Sequence, residues 1–413
     1  MTSPRGTTEV GRRHIPGRTW LGAAVAPLLL TAGLLAACGP AHGTVRTRDG
    51  GRNLFFTAAA GKANDVTVTR DGEDLLVNDA GDTITPGDGC TAEDANTVRC
   101  GGITFMLLDL KDGNDEASNN TDVPAFPGEG EGGIIGGPGN DVLDGGTAED
   151  ILVGDQGTDT LNGNDGDDHL VEGLTSASTD VLDADTFNGG TGRDEVSYSA
   201  ATLGVNVDLD GNADDGRPGE IDNVRIDVED ITGGDAADDL VGNAGDNTLR
   251  GAPFDGQGGA DLLVGNAGND VLFGGAGDDF LLEGLGAART DPLDADTFNG
   301  GGGVDTASYR DATVQVQVDL DDVADDGRTG ELDNVRSSVE HVEGGQGGDA
   351  LTGDGDANNL FGNGGPDTID GKAGPDFLRG DAGFDLLNGG TETDVCDLGG
   401  TGANGGSTFN CEN

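Results

Sequence analysis

The chain is poor in nearly everything that a compact apolar core or a catalytic centre is built from. Aromatic residues are 4% of its 413 positions, with one Trp and two Tyr, and apolar residues reach only 34%. Low hydrophobicity with a formal charge of -57 cannot offset the entropy of ordering, so disorder in the absence of a counter-ion is the first expectation. Basic side chains are scarce too. Only 21 Lys and Arg face 78 Asp and Glu, which excludes nucleic acid as a partner, because phosphate binding needs clustered cations. The four histidines, His14, His42, His169 and His341, are too scattered for a ligand pair, and neither H-E-x-x-H nor G-x-S-x-G occurs. Carboxylates are frequent enough to imitate a glycosidase pair. Their regular spacing, however, has a structural explanation that catalysis does not supply, and the chain is read as not an enzyme.

Long apolar runs are missing except for Trp20 to Ala37, which follows Arg5, Arg12, Arg13 and Arg18. Residues 1–37 are therefore read as an export signal. The run ends in Leu35-Ala36-Ala37-Cys38, which resembles the bacterial lipobox, in which the cysteine is lipidated; an ordinary secretory signal cut nearby and an uncleaved anchor are the alternatives. Either cleaved form places the protein outside the cytoplasm, secreted or held to the surface as a lipoprotein, with membrane contact only through the lipid on Cys38. Cysteine is also sparse. With Cys38 set aside, Cys90 and Cys100, and Cys396 and Cys411, remain as two local disulfides suited to an oxidising compartment.

Glycine, by contrast, occurs 79 times and in register. From Gly344 to Asp397 one nine-residue unit is written without a gap: GGQGGDALT, GDGDANNLF, GNGGPDTID, GKAGPDFLR, GDAGFDLLN, GGTETDVCD. Position six is Asp349, Asn358, Asp367, Asp376, Asp385 and Asp394, and position eight is Leu351, Leu360, Ile369, Leu378, Leu387 and Cys396. An earlier array, 136–171, carries Asp141, Asp150, Asp159 and Asp168. A middle array, 233–282, carries Asp238, Asn247, Asp261, Asp270 and Asp279, and single units place Asp194 and Asp305. Gly251 to Asp255 break the middle register, which predicts a bulged loop. Glycine permits the tight turn, and the short x-U-x segment has room for one strand with one inward side chain, so a unit is half a coil of a flat parallel solenoid. Stacked coils would line the position-six carboxylates of one edge into a column of oxygen donors. Calcium suits such a column and zinc, which prefers Cys and His, does not.

This pattern, G-G-x-G-x-D-x-U-x, resembles the RTX, or hemolysin-type, calcium-binding nonapeptide family. The resemblance implies a bound cofactor of several calcium ions, held by the position-six aspartates and by backbone carbonyls of the glycine turns. It also implies a secreted or surface-attached protein that folds on binding calcium.

A longer repeat overlies the short one. Asp183 to Asn188 recurs as Asp294 to Asn299, and Tyr198 as Tyr309, 111 residues on, so that two modules are a tandem duplication. The fold class expected is all-β: parallel β-roll or β-solenoid segments at 136–171, 233–282 and 344–397, a small β domain at 44–130 and β inserts at 172–232 and 283–343. Residues 398–413 form a C-terminal cap. Runs such as Val66-Thr67-Val68 and Ile103-Thr104-Phe105 mark strands of the N-terminal domain. Asp109 to Asp115 resembles a degenerate first calcium turn, a plain solvated turn being the alternative. Each insert also holds an acidic loop, from Asp210 and from Asp321, that looks somewhat like an EF-type loop but has Asp215 and Asp326 where the glycine belongs. A calcium loop of another geometry, with Asp214, Asp215, Glu220 and Asp222, and a solvated turn stay open. A surface adhesin using the N-terminal domain, with calcium only stiffening the rod, is the rival function.

Overall fold

In the computed structural model of the chain, residues 42–48, 50–125, 133–173, 183–253, 258–284, 294–399 and 406–412 are described. The segment read as an export signal, and Cys38, lie outside the described residues. Among the described residues every regular element is a β-strand.

The strands form where the nonapeptide pattern places D-x-U-x. Val142–Asp144 and Ile151–Val153 are three residues long, with the position-eight leucine inward. Each pairs in parallel with the strand two units later, Leu143 opposite Leu161 and Leu152 opposite Leu170, so one full coil takes 18 residues. Successive units therefore alternate between two facing sheets, and the core is the seam between them. On one side Leu143, Leu161, Phe187 and Val224 stack; Leu152, Leu170, Val196 and Ile231 stack on the other, all at 0% exposure. Burial of each such side chain contributes about 1.5–3 kcal/mol. Parallel sheets are usually covered by helices on their outer faces. Here the two sheets cover each other and leave outer faces of mixed character to water, with Val142, Leu386 and Val395 exposed.

The sheets do not stop at the inserts. A sheet of 13 strands runs from Ile84–Pro86 to Asn334–Val335 and crosses the first insert, and a sheet of nine runs from Asn206–Asp208 to Val395–Asp397 and crosses the second. All three arrays thus belong to one stack. What each insert does is exchange one of the two facing sheets for a new one. Asn206 exchanges backbone hydrogen bonds with Gly216 of its own acidic loop, at 3.0 and 2.9 Å, so that edge of Asn206–Asp208 is taken. The strand cannot join the sheet that ends at Asn223–Val224 and founds a new one with Asp239–Val241. Val316–Asp319 repeats this in the second module, paired back onto Gly327–Arg328.

The N-terminal hairpins are continuous with the stack. Gly43–Arg48 pairs antiparallel with Asn53–Thr57, and Asp65–Asp71 with Asp74–Asp79. Asn53–Thr57 and Asp65–Asp71 also pair in parallel with Phe105–Asp109 and Glu116–Asn120, which continue into the first nonapeptide strands. Ile103 is buried but precedes its strand, because the Gly101-Gly102 turn delays strand geometry until Phe105. Cys90 and Cys100 lie opposite each other on antiparallel strands and are joined. At the other end Ser407–Phe409 pairs with Leu386–Asn388, and Cys396, inward at position eight, is bonded to Cys411.

Stacking explains the fourth-position glycine. Gly157 has φ +126°, and a Cβ there would overlap the carbonyl oxygen of Gly139 in the preceding coil. Gly157→Ala combines a strained backbone with overpacking. It is expected to cost about 2–5 kcal/mol, read as a lower denaturation midpoint in saturating calcium; an unchanged midpoint would contradict the stacking account.

Candidate metal centre

The position-six side chains are buried and joined coil to coil. The backbone N–H of each donates to Oδ1 of the position-six residue in the following coil on the same edge. The distances are 2.7 Å for Asp141 to Asp159, 2.8 Å for Asp150 to Asp168 and 2.8 Å for Asp168 to Asp194. In the middle of the stack Asp238, Asp261, Asp279 and Asp305 are linked in sequence, each at 2.9 Å. The Asn247 N–H reaches Asp270 at 2.8 Å. In the last array Asp349 reaches Asp367 at 2.8 Å and Asp367 reaches Asp385 at 3.1 Å, while Asp376 reaches Asp394 at 3.0 Å. The last column ends on Glu412, whose Oε2 accepts the Asp394 N–H at 2.9 Å. One oxygen of each carboxylate is thus committed to holding coils together.

The second oxygen separates the turns into two classes. In closed turns the N–H of position two donates to it: Gly146 to Asp150 at 2.5 Å, Gly234 to Asp238 at 2.7 Å and Gly345 to Asp349 at 2.7 Å. Asn243 to Asn247 at 2.8 Å and Asp354 to Asn358 at 2.9 Å belong to the same class. In open turns position two is left-handed, with φ +93° at Gly137, +67° at Asp155, +75° at Asn164, +62° at Asn363 and +71° at Lys372. Its N–H then turns away. Oδ2 of Asp141, Asp159, Asp168, Asp194, Asp279, Asp305, Asp367, Asp376, Asp385 and Asp394 is buried with no hydrogen-bond donor. Asp261 Oδ2 is likewise unpartnered, and Gly251 stands beside it as the first-position glycine. The register break thus falls inside a turn, and the rest of that expected bulge, 254–255, lies outside the described residues. Closed turns sit where no glycine turn precedes them in the column: Asp238 and Asp349 cap the strand N–H groups of Val205 and Val316, both at 2.8 Å.

A buried carboxylate oxygen without a donor is costly, and the acidities reflect it. Burial, opposed by the inter-coil hydrogen bond and reinforced by neighbouring carboxylates, pushes Asp141, Asp159, Asp194, Asp261, Asp305 and Asp367 up to about 7 and Asp168 to about 8. Asp279 and Asp376 rise to about 6. The orphaned oxygens, wholly of the hard carboxylate type and set against glycine backbone, fit a calcium ion. When bound, calcium would supply the charge that lets these carboxylates stay ionised while buried.

Several position-six residues lack the glycine signature, and the sequence reading did not assign them that place. Asp185 accepts from the Asp159 N–H at 2.7 Å and Asp222 from the Asp185 N–H at 2.9 Å, continuing a column into the first insert. Asp296 and Asp333 do the same in the second, at 2.8 and 2.9 Å. The bare D-x-U-x strings Asp185-Thr186-Phe187 and Asp222-Asn223-Val224 were the available signal. Asp115 also takes the position-six place, its Oδ1 accepting from Asn64 N–H at 2.6 Å, and Lys111 is left-handed as in an open turn. The EF-like loop resolves differently: Asp215 caps the N–H groups of Asp208 and Val224, both at 2.8 Å, and Glu220 and Asp222 turn inward instead.

Segments 135–170, 231–252, 255–287, 339–369 and 370–401 match the family described as RTX calcium-binding nonapeptide repeat (4 copies). These segments carry RTX calcium-binding nonapeptide repeats. The matched segments overlap every nonapeptide array read from the sequence, and in this fold the arrays form a parallel β-roll. No curated protein matches the chain. Among solved structures it is similar to the extracellular lipase LipA from Serratia marcescens, with 18% identity and a TM-score of 0.20, over 62% of this chain and 38% of that one. The chain thus spans 38% of the length of that lipase.

Proposed function

We propose that the protein is an extracytoplasmic structural component, not an enzyme, whose RTX coils assemble on binding several calcium ions through the open-turn aspartates and the carbonyls of the glycine turns. The observation that carries this is the run of buried, donorless Oδ2 atoms along each edge, the donor type that a hard cation takes. The two disulfides support an oxidising compartment, and lipidation at Cys38 would make the surface the site of action, which labelling with a radioactive fatty acid tests. Calcium sites outside cells typically bind at about 10⁻⁴ to 10⁻³ M, so folding would follow export.

Circular dichroism with and without calcium, paired with equilibrium dialysis of calcium on the mature chain, tests the reading. Strand signal is expected to rise with calcium, with several ions taken up per chain. Unchanged strand signal, or uptake of one ion or none, would sink it.

A further inference from the structure

Each of the two modules buries a knot of carboxylates outside the nonapeptide arrays. In the first, Glu172, Asp183 and Glu220 bring carboxylate oxygens within 4.8 Å of one another, and Asp183 does the same with Asp185 and Asp222. The second module repeats the arrangement with Glu283, Asp294 and Glu331, and with Asp294, Asp296 and Asp333. Among the described residues a single guanidinium enters the first knot. Arg217 pairs with Glu172 Oε1 at 2.7 Å and with Glu220 Oε1 at 2.5 Å, so five carboxylates face one cation.

The partners of each oxygen show where charge is left over. Asp222 is satisfied, with Oδ1 accepting the Asp185 N–H at 2.9 Å and Oδ2 the Tyr198 hydroxyl at 3.1 Å. Asp185 is not. It is 1% exposed, Oδ1 accepts the Asp159 N–H at 2.7 Å, and Oδ2 has no donor. Asp183, 8% exposed, accepts the Gly157 N–H through Oδ2 at 3.2 Å, and its Oδ1 has no donor either. In the second module Asp296 Oδ2 is donorless at 1% exposure, and the Tyr309 hydroxyl donates to Asp333 Oδ2 at 3.0 Å. Unpaired buried carboxylates in such numbers persist only if neutralised.

We propose that each module holds one hard divalent cation of the calcium class in this knot, distinct from the ions of the nonapeptide turns. Asp183 Oδ1 and Asp185 Oδ2 are its main donors in the first module, with Glu220 and Asp222 at its side. In the second module Asp296 Oδ2 is the main donor, and Asp294, which Arg328 approaches at 3.8 Å, stands at its side with Glu331 and Asp333. The donors are all carboxylate oxygens, without Cys or His, which disfavours zinc and copper. Side-chain carboxylates do here what glycine carbonyls do in the turns, because the inserts have exchanged the glycine run for acidic residues.

The chain's own tyrosines make the knots separately visible. Tyr198 and Tyr309 are its two tyrosines, and each is hydrogen-bonded to a carboxylate of its knot. Terbium, a hard stand-in for calcium, emits when excited through a tyrosine close by. Tyrosine-sensitised terbium emission is expected from the full chain, to be competed by calcium and to vanish in Tyr198→Phe/Tyr309→Phe. It is also expected to fall to the level of that variant in Asp183→Asn/Asp294→Asn, while calcium still restores the strand signal. Should the double variant fail to fold, Asp183→Asn and Asp294→Asn are made singly, each disturbing one coil of a stack held by nearest-neighbour contacts, and each is expected to lose about half of the emission. Emission unchanged by the carboxylate substitutions, or absent from the full chain, overturns the proposal. Strand gain without sensitised emission would leave the turn sites standing and remove the knots, whereas emission without strand gain would do the reverse.

Discussion

Stripped of calcium by a chelator, the protein is expected to keep more strand structure near pH 5 than at pH 8, the reverse of the usual behaviour of carboxylate-rich proteins. The unfolded aspartates titrate near the ordinary value of 3.8, whereas in the fold Asp141, Asp159, Asp194, Asp261 and Asp305 titrate near 7 and Asp168 near 8. The folded state therefore binds more protons between those limits, and its stability falls as pH rises. The contribution is complete below 3.8 and lost by the time pH has passed 7 to 8. One pKa unit is worth about 1.4 kcal/mol. Even one unit per aspartate, summed along the columns, rivals the net stability of a domain, about 5–15 kcal/mol. Burial is the first cause at each of these residues, and the neighbouring carboxylates add to it. Asp185 and Asp296 are carried furthest, to about 10, by burial and then by the charges of Asp222 and Asp333. Calcium and protons thus compete for the same oxygens, so calcium affinity should climb between pH 5 and pH 8 and its uptake should release protons. Circular dichroism across pH in chelator and in calcium checks this. Strand content in chelator that is flat or rises with pH would show that the columns do not control folding.

The second large effect is expected where the two turn classes are set against each other. Asp367→Asn acts at an open turn, whose Oδ2 is donorless, and removes both a charge and a free oxygen. Ligand charge sets calcium affinity over decades, so the loss at that site should be at least about tenfold, with a lower melting midpoint at limiting calcium. Asp349→Asn acts at a closed turn, where Oδ2 is already held by the Gly345 N–H at 2.7 Å. There the structure itself uses asparagine, at Asn247 and Asn358, each accepting the same position-two N–H. Asp349→Asn should consequently leave calcium uptake and midpoint close to those of the parent. Calcium titration of both variants, followed by calorimetry, decides the matter; equal losses in the two would show that open and closed turns are not functionally distinct.

Much of this architecture was legible because its information is local. A nine-residue period with glycine at the start and an apolar residue at position eight leaves one strand per unit and one inward side chain. The burial of Leu143, Leu161 and Leu351 follows from that alone. The cysteine pairs were legible for a similar reason: Cys90 and Cys100 flank one hairpin. The inserts were not, since Asp185 and Asp222 carry the position-six role without glycines to announce it and meet across 37 residues. The 111-residue duplication made their importance visible without revealing their geometry.

By itself, then, the amino-acid sequence determined the repeat, the alternation of units between two sheets and the alignment of aspartates along the edges, because each depends on residues within one or two units. The tertiary structure decided which oxygens are free. Whether Asp150 or Asp168 offers its Oδ2 depends on the backbone conformation of position two and on whether a glycine turn lies below it in the stack. It also decided that the arrays form one rod, because Asn206–Asp208 loses one pairing edge to its own loop and must found a new sheet while the opposite sheet runs on. Both outcomes are set by neighbours a full coil or more away, and no local pattern records which neighbour a coil will have.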